Sequence, residues 1–522
     1  MIPRALPADF SAYAWAPSSE DVAARHGLRP EQVLRFDQNT PAVPGVPQVP
    51  LATSFARLNE YPDGSYSELR AAAAGYCGVE PDRIVVGAGA DDLIATCART
   101  YLGPGRSAAI SPPTYGLYRL VSLVEGADVT TDPAGASLIW VCNPNNPTGA
   151  LRDPLELAAL AQVHPDAVVV VDEAYFEFAG ATCVDLIEAQ PNLIVLRTLS
   201  KAFGFASLRV GYAVASVEAA TQLNLRRAPA GISGPAAAIA AAALRDPRVD
   251  VGATLVERER VRAALLAAGF DCPGSAANFV FVRSEEPLGA GLEAQGLVVR
   301  IFEEGIRITV RRPPENDVLL AALGAEGGAP AGRSALVVRT TTETALRLSL
   351  DLDGSGRARV DTGVGFLDHL LTLCAFHGGL DLELLAGGDL DVDEHHTVED
   401  CLAALGDALV QALGAREGVA RYGAATVPMD DALATAAVDL VRRPHAEVEL
   451  DFSGTRVGAL ATTLLPHALE RFAMQAAITL HVSSSGRDDH HVAEAAFKAL
   501  GQALRQACAT GRDGVRSTKG LG

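Results

Sequence analysis

Five short apolar runs, each followed by polar residues, are the feature that most constrains the fold of this chain. They read RIVVGAG, LIWVCNPN, VVVVDEAY, LIVLRTLS and LRVGYAVA, and longer helical patterns separate them. Buried strands that alternate with helices predict an α/β fold with a mostly parallel sheet. Ligands of such sheets bind beyond the carboxyl ends of the strands, so the polar residues after the runs are the first candidates for chemistry.

A stretch rich in glycine, alanine and proline at Leu323–Ser334 separates this region from one of different composition. Of the 11 histidines, only His26 and His164 precede the stretch. A chain of 522 residues is also too long for a single hydrophobic core. We therefore predict an N-terminal α/β domain over residues 1–322, a linker over 323–334 and a second domain over 335–522.

Composition excludes some classes of partner. The net charge of −20 argues against a nucleic acid or an anionic membrane, because both attract an excess of Lys and Arg. A local arginine cluster could still bind small anionic substrates. The eight cysteines are scattered without a CxxC pair, which favours a reducing cytoplasm. The chain shows no signal-peptide pattern and no apolar run long enough to span a bilayer.

A lysine and an aspartate follow two of the apolar runs. Lys201, in LSKAFG, would by itself be interpreted as a surface residue on a loop, but a buried lysine can lose its proton and react with an aldehyde cofactor. Asp172 could keep the nitrogen of a pyridine ring protonated, although it could equally be the N-cap of a helix.

Three neighbouring features could hold other parts of such a cofactor. Asn146 lies in the rigid turn NPNNPTG, where its amide could bind a phenolic oxygen. The turn Gly87–Gly89 could place backbone N–H groups on a phosphate. Tyr115 could stack on a flat ring. Each feature alone also fits an ordinary turn or core position.

In this order and spacing, the stretches LSKAFG, LRVGY, NPNNPTG and VDEAY resemble the class I and II aminotransferases of pyridoxal-phosphate (PLP) fold type I. Among these, residues 30–322 resemble the histidinol-phosphate aminotransferases most. The resemblance implies that Lys201 binds PLP covalently and that Asp172 partners its ring nitrogen. The other implied cofactor positions are Ala90, Asp91, Tyr115, Asn146, Tyr175, Ser200, Arg209 and, from the neighbouring subunit of a dimer, Tyr61. The implied substrate positions are Asn39, Asn278, Arg300 and Arg307.

Two departures from the family pattern concern the substrate side. Asp37-Gln38-Asn39-Thr40 replaces the usual Asn-Glu-Asn-Pro, and Arg311-Arg312 stands where a glycine normally follows the RITV strand. We expect both changes to lie beside the substrate and to affect specificity rather than the cofactor chemistry.

A histidine motif, HHxxE, occurs twice in the C-terminal part. One copy runs from His395 to Glu399 and follows a lone histidine, His369, by 26 residues; the other runs from His490 to Glu494 and follows His467 by 23 residues. In a helix, the first histidine and the glutamate share one face. One copy could be a solvated helix start, but two copies with matching lone histidines predict metal binding and a duplicated α+β domain. Imidazole and carboxylate without cysteine suit manganese or iron.

Residues 334–522 resemble imidazoleglycerol-phosphate dehydratase, most clearly in TGVGFLDH, EHHTVED, HHVAEAAFK and STKG. The resemblance implies two Mn²⁺ ions, one held by His369, His395, Glu399 and His491, the other by His396, His467, His490 and Glu494. The implied phosphate-binding residues are Arg421, Arg443, Ser517 and Lys519. The carboxylates that could act as acid or base are Glu343, Glu399 and Glu494.

The two resemblances imply consecutive reactions of histidine biosynthesis. A dehydratase would convert imidazoleglycerol phosphate to imidazole-acetol phosphate, and an aminotransferase would convert that ketone, with glutamate, to L-histidinol phosphate. We expect a cytoplasmic homo-oligomer, with a dimer through the aminotransferase and a larger assembly through the dehydratase. Two alternatives stay open: a PLP enzyme with another substrate, such as an aromatic aminotransferase or a decarboxylase, and a C-terminal part that only stores metal or directs assembly.

Overall fold

The computed structural model describes residues 6, 7, 10, 12, 16–41, 59–249, 251–328, 332–341 and 343–511. Two residues of the predicted sites, Ser517 and Lys519, lie outside this range.

The N-terminal part alternates strands and helices, as the apolar runs predict. Its helices are α1 (Ser19–His26), α2 (Ser67–Cys77), α3 (Ala90–Tyr101), α4 (Leu117–Glu125), α5 (Pro154–Val163), α6 (Phe176–Ala179), α7 (Val217–Asn224), α8 (Gly234–Arg245), α9 (Gly252–Ala267), α10 (Leu288–Glu293) and α11 (Pro313–Ala322). Its strands are β1 (Leu34–Arg35), β2 (Ile84–Gly87), β3 (Ser107–Ile110), β4 (Asp128–Thr130), β5 (Leu138–Cys142), β6 (Val168–Asp172), β7 (Leu193–Thr198), β8 (Gly211–Ala215), β9 (Phe279–Arg283), β10 (Leu297–Val298), β11 (Arg300–Phe302) and β12 (Gly305–Thr309).

A seven-stranded sheet forms the centre of this part, in the order β2-β8-β7-β6-β5-β3-β4. The strands from β7 to β4 are parallel, and β8 runs antiparallel to both of its neighbours. The five predicted runs became β2, β5, β6, β7 and β8, so the predicted α/β fold is confirmed. Strands of this kind are apolar along their whole length because helices cover both faces of the sheet.

A smaller sheet, in the order β11-β12-β9, and the short pair β1–β10 follow beside the large sheet. Their core includes residues from β9 and β12 together with α9 and α11. Helix α11 ends at Ala322, and the next strand begins at Ser334. Between them, Ala325 is buried and packs into the same core.

The C-terminal part consists of two four-stranded sheets with helices between them, and one further pair of short strands. Its strands are β13 (Ser334–Thr340), β14 (Thr344–Asp351), β15 (Ala358–Asp361), β16 (Asp381–Gly388), β17 (Tyr422–Met429), β18 (Ala432–Asp439), β19 (His445–Leu450), β20 (Arg456–Val457), β21 (Leu460–Ala461) and β22 (Thr479–Ser485). Its helices are α12 (Gly365–Gly378), α13 (His395–Leu413), α14 (Leu464–Gln475) and α15 (Asp489–Cys508).

The two sheets share one topology. The first has the order β13-β14-β16-β15 and the second β17-β18-β22-β19. In each, the first three strands are antiparallel and the last is parallel to its neighbour. One continuous hydrophobic core joins both sheets and all four helices. Within it, α12 packs on α15 and α13 packs on α14, which decides where the histidines meet.

No helix in the described part of the chain combines the length and the apolarity needed to cross a membrane.

Helix α15 lies so close to β17 that only glycine fits at position 423. A Cβ atom there would lie 1.9 Å from the Ala503 carbonyl oxygen and 2.7 Å from the Ala507 nitrogen. Both atoms belong to the helix backbone, which cannot rotate away as a side chain can.

Replacing Gly423 by alanine should therefore destabilise the C-terminal part by about 1–3 kcal/mol, the usual cost of overpacking a core. Chemical denaturation followed by circular dichroism would measure this loss. Gly365→Ala is a matched control, because a Cβ atom there meets nothing within 4 Å. Equal stability of the two variants would contradict the proposed close approach.

Candidate active sites

The carboxyl ends of the large sheet border a cavity of about 630 Å³. Its lining includes Asp172 at the end of β6, Asn146 in the turn after β5 and Lys201 in the turn after β7. The other predicted residues that line it are Asn39, Ala90, Asp91, Tyr115, Tyr175, Ser200, Arg209, Arg300 and Arg307. The structure thus brings together all but two of the predicted N-terminal site residues.

Lys201 is half-buried and lines this cavity. Its Nζ atom donates a hydrogen bond to the Gln38 carbonyl oxygen at 3.2 Å and lies 5.9 Å from the centre of the Tyr175 ring. Burial lowers the pKa of the Lys201 amine to about 8, and the nearby Arg307 guanidinium contributes to this shift. An amine with such a pKa is partly neutral near physiological pH, as a nucleophile or proton carrier must be.

Asp172 lies almost fully buried beside a tyrosine that the sequence did not reveal. The Tyr118 hydroxyl donates a hydrogen bond to Asp172 Oδ2 at 2.7 Å, and the Tyr118 ring stacks on Trp140 with centroids 5.1 Å apart. Burial raises the pKa of the Asp172 carboxyl to about 6, although the Tyr118 hydroxyl and the Ala174 N–H act in the opposite direction. Tyr118 lies on the buried face of α4, where its sequence pattern is that of a core residue.

A glycine lets an arginine reach the start of α3. Gly89 has φ +84°, and a Cβ atom there would lie 2.7 Å from an Nη atom of Arg209. The guanidinium pairs with Asp91 at 2.9 Å, and the Tyr115 hydroxyl donates to the same carboxylate at 3.1 Å. Backbone N–H groups at a helix start together with an arginine favour an anionic group. This corner therefore fits the phosphate of PLP, and Lys201 and Asp172 fit its aldehyde and ring nitrogen.

The opposite wall of the cavity holds Arg307 and Asn39. Arg307 donates hydrogen bonds to Asn146 Oδ1 at 2.6 Å and to the Asp37 carbonyl oxygen at 2.5 Å. The Asn39 amide donates to the Tyr175 hydroxyl at 2.9 Å. Asn278 supports this wall from behind, because its amide donates to the Asn39 carbonyl oxygen at 3.1 Å.

The expectation that Arg311 and Arg312 lie beside the substrate was wrong. Arg311 pairs with Glu315 at 3.0 Å, and Arg312 donates to the Ser349 hydroxyl of the C-terminal part at 2.6 Å. Both side chains point to the contact between the two parts. Asp37, the other departure, does line the cavity. Tyr61 is 94% exposed in this chain, and its role toward a partner subunit stays a prediction.

The buried carboxyl of Asp172 generates a pH-dependent prediction. Its pKa is raised from 3.8 to about 6, so its ionised form costs about 3 kcal/mol above pH 6 and progressively less as the pH falls toward 4. In protein stripped of PLP, Asp172→Asn should therefore raise the free energy of unfolding at pH 8 by up to about 3 kcal/mol, and by about half as much at pH 5.

Chemical denaturation at both pH values measures this difference. The exposed Asp128→Asn is the control and should change stability equally little at either pH. A gain for Asp172→Asn that is the same at pH 5 and pH 8 would show that burial of the charge is not its cause.

Two groups of three side chains in the C-terminal part could each hold a metal ion. In the first, which we call the first triad, His369, His490 and Glu494 have donor atoms within 4.8 Å of one another. His369 Nε2 lies 2.6 Å from Glu494 Oε1, and His490 Nε2 lies 3.2 Å from the same oxygen. The donor set of imidazole and carboxylate fits a divalent cation such as Mn²⁺.

The second triad consists of His395, Glu399 and His467, again with donor atoms within 4.8 Å. Both histidine Nε2 atoms lie 3.5 Å from Glu399 Oε2. As predicted, the first histidine and the glutamate of each HHxxE motif lie on one face of a helix. The third residue of each triad is the lone histidine that precedes the other HHxxE motif in the sequence.

The grouping of the ligands differs from the one that the resemblance implied. The first triad joins His369 to His490 and Glu494, which were assigned to the other ion. The second likewise joins His467 to His395 and Glu399. The cause is helix packing: α12, which carries His369, packs on α15, and α14, which carries His467, packs on α13.

The second histidine of each motif, His396 or His491, lies outside the triads and beside an aspartate. His396 Nδ1 lies 3.0 Å from Asp389 Oδ2, and His491 Nδ1 lies 2.7 Å from Asp431 Oδ1. These hydrogen bonds raise the pKa of both imidazoles. Each aspartate also fixes the orientation of its imidazole ring, as partners of metal-binding histidines do. Glu343 lies 3.9 Å from His396 Nδ1.

A cation lies beside the second oxygen of each triad carboxylate, a contact that sequence reasoning missed. Lys498 Nζ donates to Glu494 Oε2 at 2.7 Å, and Arg471 Nε lies 3.2 Å from Glu399 Oε1. Burial opposes ionisation of Glu494, but Lys498 and His369 outweigh it and keep the pKa of this carboxyl at about 2. Lysine occurs only at positions 201, 498 and 519 of the sequence, so its rarity was an available signal.

The predicted phosphate-binding arginines lie far from the triads of their own chain. The Arg421 N–H donates to the Ala507 carbonyl oxygen near the end of α15, and the Arg443 carbonyl oxygen accepts from Thr479 at the start of β22. His490 lies at the opposite end of α15, roughly 25 Å away at 1.5 Å per residue. Arg421 also pairs with Asp439 at 2.7 Å.

A lysine and a carboxylate at the carboxyl edge of a mostly parallel sheet, beside an anion-binding turn, define a PLP-dependent enzyme. Each of the two triads could hold a divalent cation. The family description "Aminotransferase class I and II" matches residues 31–131 and 124–323, and "Imidazoleglycerol-phosphate dehydratase" matches residues 362–504. The chain therefore belongs to the class I and II aminotransferases in its N-terminal part and to the imidazoleglycerol-phosphate dehydratases in its C-terminal part.

Individual relatives agree with this division. Imidazoleglycerol-phosphate dehydratase of Methanothermobacter thermautotrophicus is 49% identical over 188 residues, which are 36% of this chain and 97% of that protein. The histidinol-phosphate aminotransferase of Sinorhizobium meliloti, solved with PLP, is 26% identical with a TM-score of 0.54 and covers 60% of this chain and 97% of its own. An L-threonine-O-3-phosphate decarboxylase of Porphyromonas gingivalis shares the fold alone, at 23% identity, a TM-score of 0.51 and coverage of 56% and 98%.

The position of Lys498 predicts an effect on metal affinity. Lys498→Met frees one oxygen of Glu494 to rotate, which should weaken Mn²⁺ binding at the first triad by about 10- to 100-fold and leave the second triad unchanged. Isothermal titration with Mn²⁺ measures both sites. Arg505→Met removes an exposed cation from the same helix and serves as the control. Unchanged or tighter binding by Lys498→Met would show that charge repulsion outweighs orientation.

Proposed function

We propose that this chain catalyses two consecutive steps of histidine biosynthesis. The C-terminal part dehydrates imidazoleglycerol phosphate to imidazole-acetol phosphate, and the N-terminal part transaminates this ketone with glutamate to L-histidinol phosphate. One observation carries the proposal: a single chain contains both the lysine–carboxylate cavity and the two histidine–glutamate triads. The reaction of one family yields the ketone that the other would consume.

In the N-terminal site, each side chain has a distinct task. PLP, when bound, supplies an electron sink for the carbon that gains or loses a proton. Lys201, with a pKa of about 8, carries that proton within the cavity. Asp172 partners the ring nitrogen, and Arg209 with the start of α3 holds the phosphate. Arg300 and Arg307 hold the anionic groups of substrate and glutamate.

In the C-terminal site, the triads are proposed to bind Mn²⁺, which would favour the deprotonated imidazole ring of the substrate. Glu399 and Glu494 are then ligands. Glu343, beside His396, is therefore the carboxylate proposed to move the proton between carbon and solvent. The shared topology of the two sheets supports an internal duplication. The end of α11 at Ala322 and the start of β13 at Ser334 support the predicted domain boundaries at residues 322 and 335.

We further propose that copies of the chain complete one another's sites. His396 and His491 lie outside the triads of their own chain, and each triad lacks a fourth protein ligand among the described residues. Arg421 is bonded near the end of α15 that lies opposite the first triad, roughly 25 Å along the helix. Arg443 is bonded at the start of β22, whose other end leads to the start of α15. Neighbouring copies would supply these groups, with Ser517 and Lys519, to a joint dehydratase site. Tyr61 would enter the aminotransferase cavity of a dimer partner in the same way.

Each of the two alternative functions predicts a different result in an activity assay. Another PLP enzyme, including a decarboxylase of the same fold, would not prefer imidazole-acetol phosphate over phenylpyruvate as amino acceptor. A metal-storage module would bind Mn²⁺ without converting imidazoleglycerol phosphate. The glutamate-bearing triads and the fixed imidazoles of His396 and His491 favour an enzyme, since storage needs no such orientation.

Incubation of the purified protein with PLP, imidazoleglycerol phosphate, Mn²⁺ and glutamate should yield L-histidinol phosphate, detected by mass spectrometry. Lys201→Ala should stop the sequence at the ketone, because the amine that carries the proton is lost. His395→Ala should stop it at the first substrate while leaving transamination of added ketone intact. His445→Ala, an exposed histidine outside the triads, is the control. A Lys201→Ala protein that still forms histidinol phosphate would refute the N-terminal assignment.

A further inference from the structure

The N-terminal and C-terminal parts of the chain meet in a contact that contains hydrogen bonds between them, and we call this contact the joint. It lies between the outer face of the first C-terminal sheet and the ends of α11 and β1. Arg312 Nη1 donates to Ser349 Oγ at 2.6 Å, and Arg347 Nη1 donates to the Val33 carbonyl oxygen at 3.4 Å. The residues of the joint are Val33, Arg311, Arg312, Glu315, Arg347, Ser349 and Glu383.

Four charged side chains are buried at the joint, two from each part. Arg311 and Glu315 are 9% and 2% exposed and pair at 3.0 Å. Arg347 and Glu383 are 10% and 5% exposed and pair at 3.2 Å. Burial opposes ionisation of Glu315, but Arg311 and, across the joint, Arg347 hold the pKa of its carboxyl below the usual value. Buried charges that require defined partners fix an orientation more than they add stability.

Two segments lead from the joint directly into the aminotransferase cavity. One runs from Val33 to Asn39, and the other runs back from Arg312 to Arg307. Hydrogen bonds join the two segments between the joint and the cavity. The Thr309 N–H donates to the Phe36 carbonyl oxygen at 2.8 Å, and the Thr309 hydroxyl donates to Asn39 Oδ1 at 2.9 Å. The wall that holds Asn39 and Arg307 is therefore anchored at its far end on the dehydratase sheet.

We propose that Ser349, Arg347 and Glu383 of the dehydratase part are positioning residues for the aminotransferase site. They hold the far ends of the two segments and so place the Arg307 guanidinium and the Asn39 amide. This inference rests on the proposed function, which assigns Arg307 to anionic substrate groups. Asp172 ends β6 and Lys201 follows β7 of the large sheet, away from the joint. A loosened joint should therefore weaken substrate binding more than it slows the chemical step.

The test uses the full-length protein loaded with PLP. Ser349→Ala should raise KM for glutamate and for imidazole-acetol phosphate about tenfold, less than the roughly hundredfold loss that a misplacement of about 1 Å can cause. The aminotransferase kcat and the dehydratase activity should stay within about twofold. Ser349→Thr keeps the hydroxyl and should restore KM. Ser483→Ala removes a serine from the exposed outer face of the second sheet and is the matched control.

Unchanged KM values in both Ser349→Ala and Arg347→Gln would overturn the proposal. So would an equal loss of kcat and kcat/KM, or a failure of Ser349→Thr to restore KM, because each indicates general disruption. The glutamate half-reaction, followed by the absorbance of PLP, is measured for every variant. A wild type that reacts with glutamate but not with imidazole-acetol phosphate would contradict the proposed function, while its glutamate KM would still decide the role of the joint.

Discussion

Both sites depend on one constraint: a charged side chain is buried only where a specific partner holds it. Asp172 is kept in place by the Tyr118 hydroxyl, and Glu494 by Lys498 and two imidazoles. Without such partners, burial would neutralise these carboxyls or expel them from the interior. The partners come from elements that pack for apolar reasons, α4 under the large sheet and α12 against α15. The hydrophobic core thus determines the chemistry by deciding which polar groups meet.

Local patterns in the sequence predicted most of the fold, and the family resemblance implied most residues of the N-terminal site. The strands could be predicted because fully buried parallel strands are apolar throughout, and the residues after them share one edge of the sheet. The pairing of His395 with Glu399 followed from helical spacing. Helical spacing did not predict which lone histidine joins which motif, since that depends on helix packing between distant segments. Tyr118 and Arg471 were missed because their positions fit ordinary core and surface patterns.

The contact between the two parts shows how a residue can be misread when a family pattern changes. Arg311 and Arg312 follow the strand that carries Arg307, a predicted substrate-binding residue, which made a substrate role the natural expectation. In this chain a second sheet covers that position, and the arginines face its buried polar groups instead. A sequence comparison limited to single-domain relatives lacks the surface that explains them.

The scarcity of lysine has a practical chemical meaning. Apart from the three lysines, the basic side chains are nearly all arginines, and a guanidinium does not lose a proton under ordinary conditions. Of the three ε-amino groups in the chain, that of Lys201 lines the cavity and that of Lys498 pairs with Glu494 of the first triad. Acylating or reductive-alkylating reagents would therefore modify few positions besides the amino terminus. Peptide mapping after such labelling would report the occupancy of each centre in the unmutated protein.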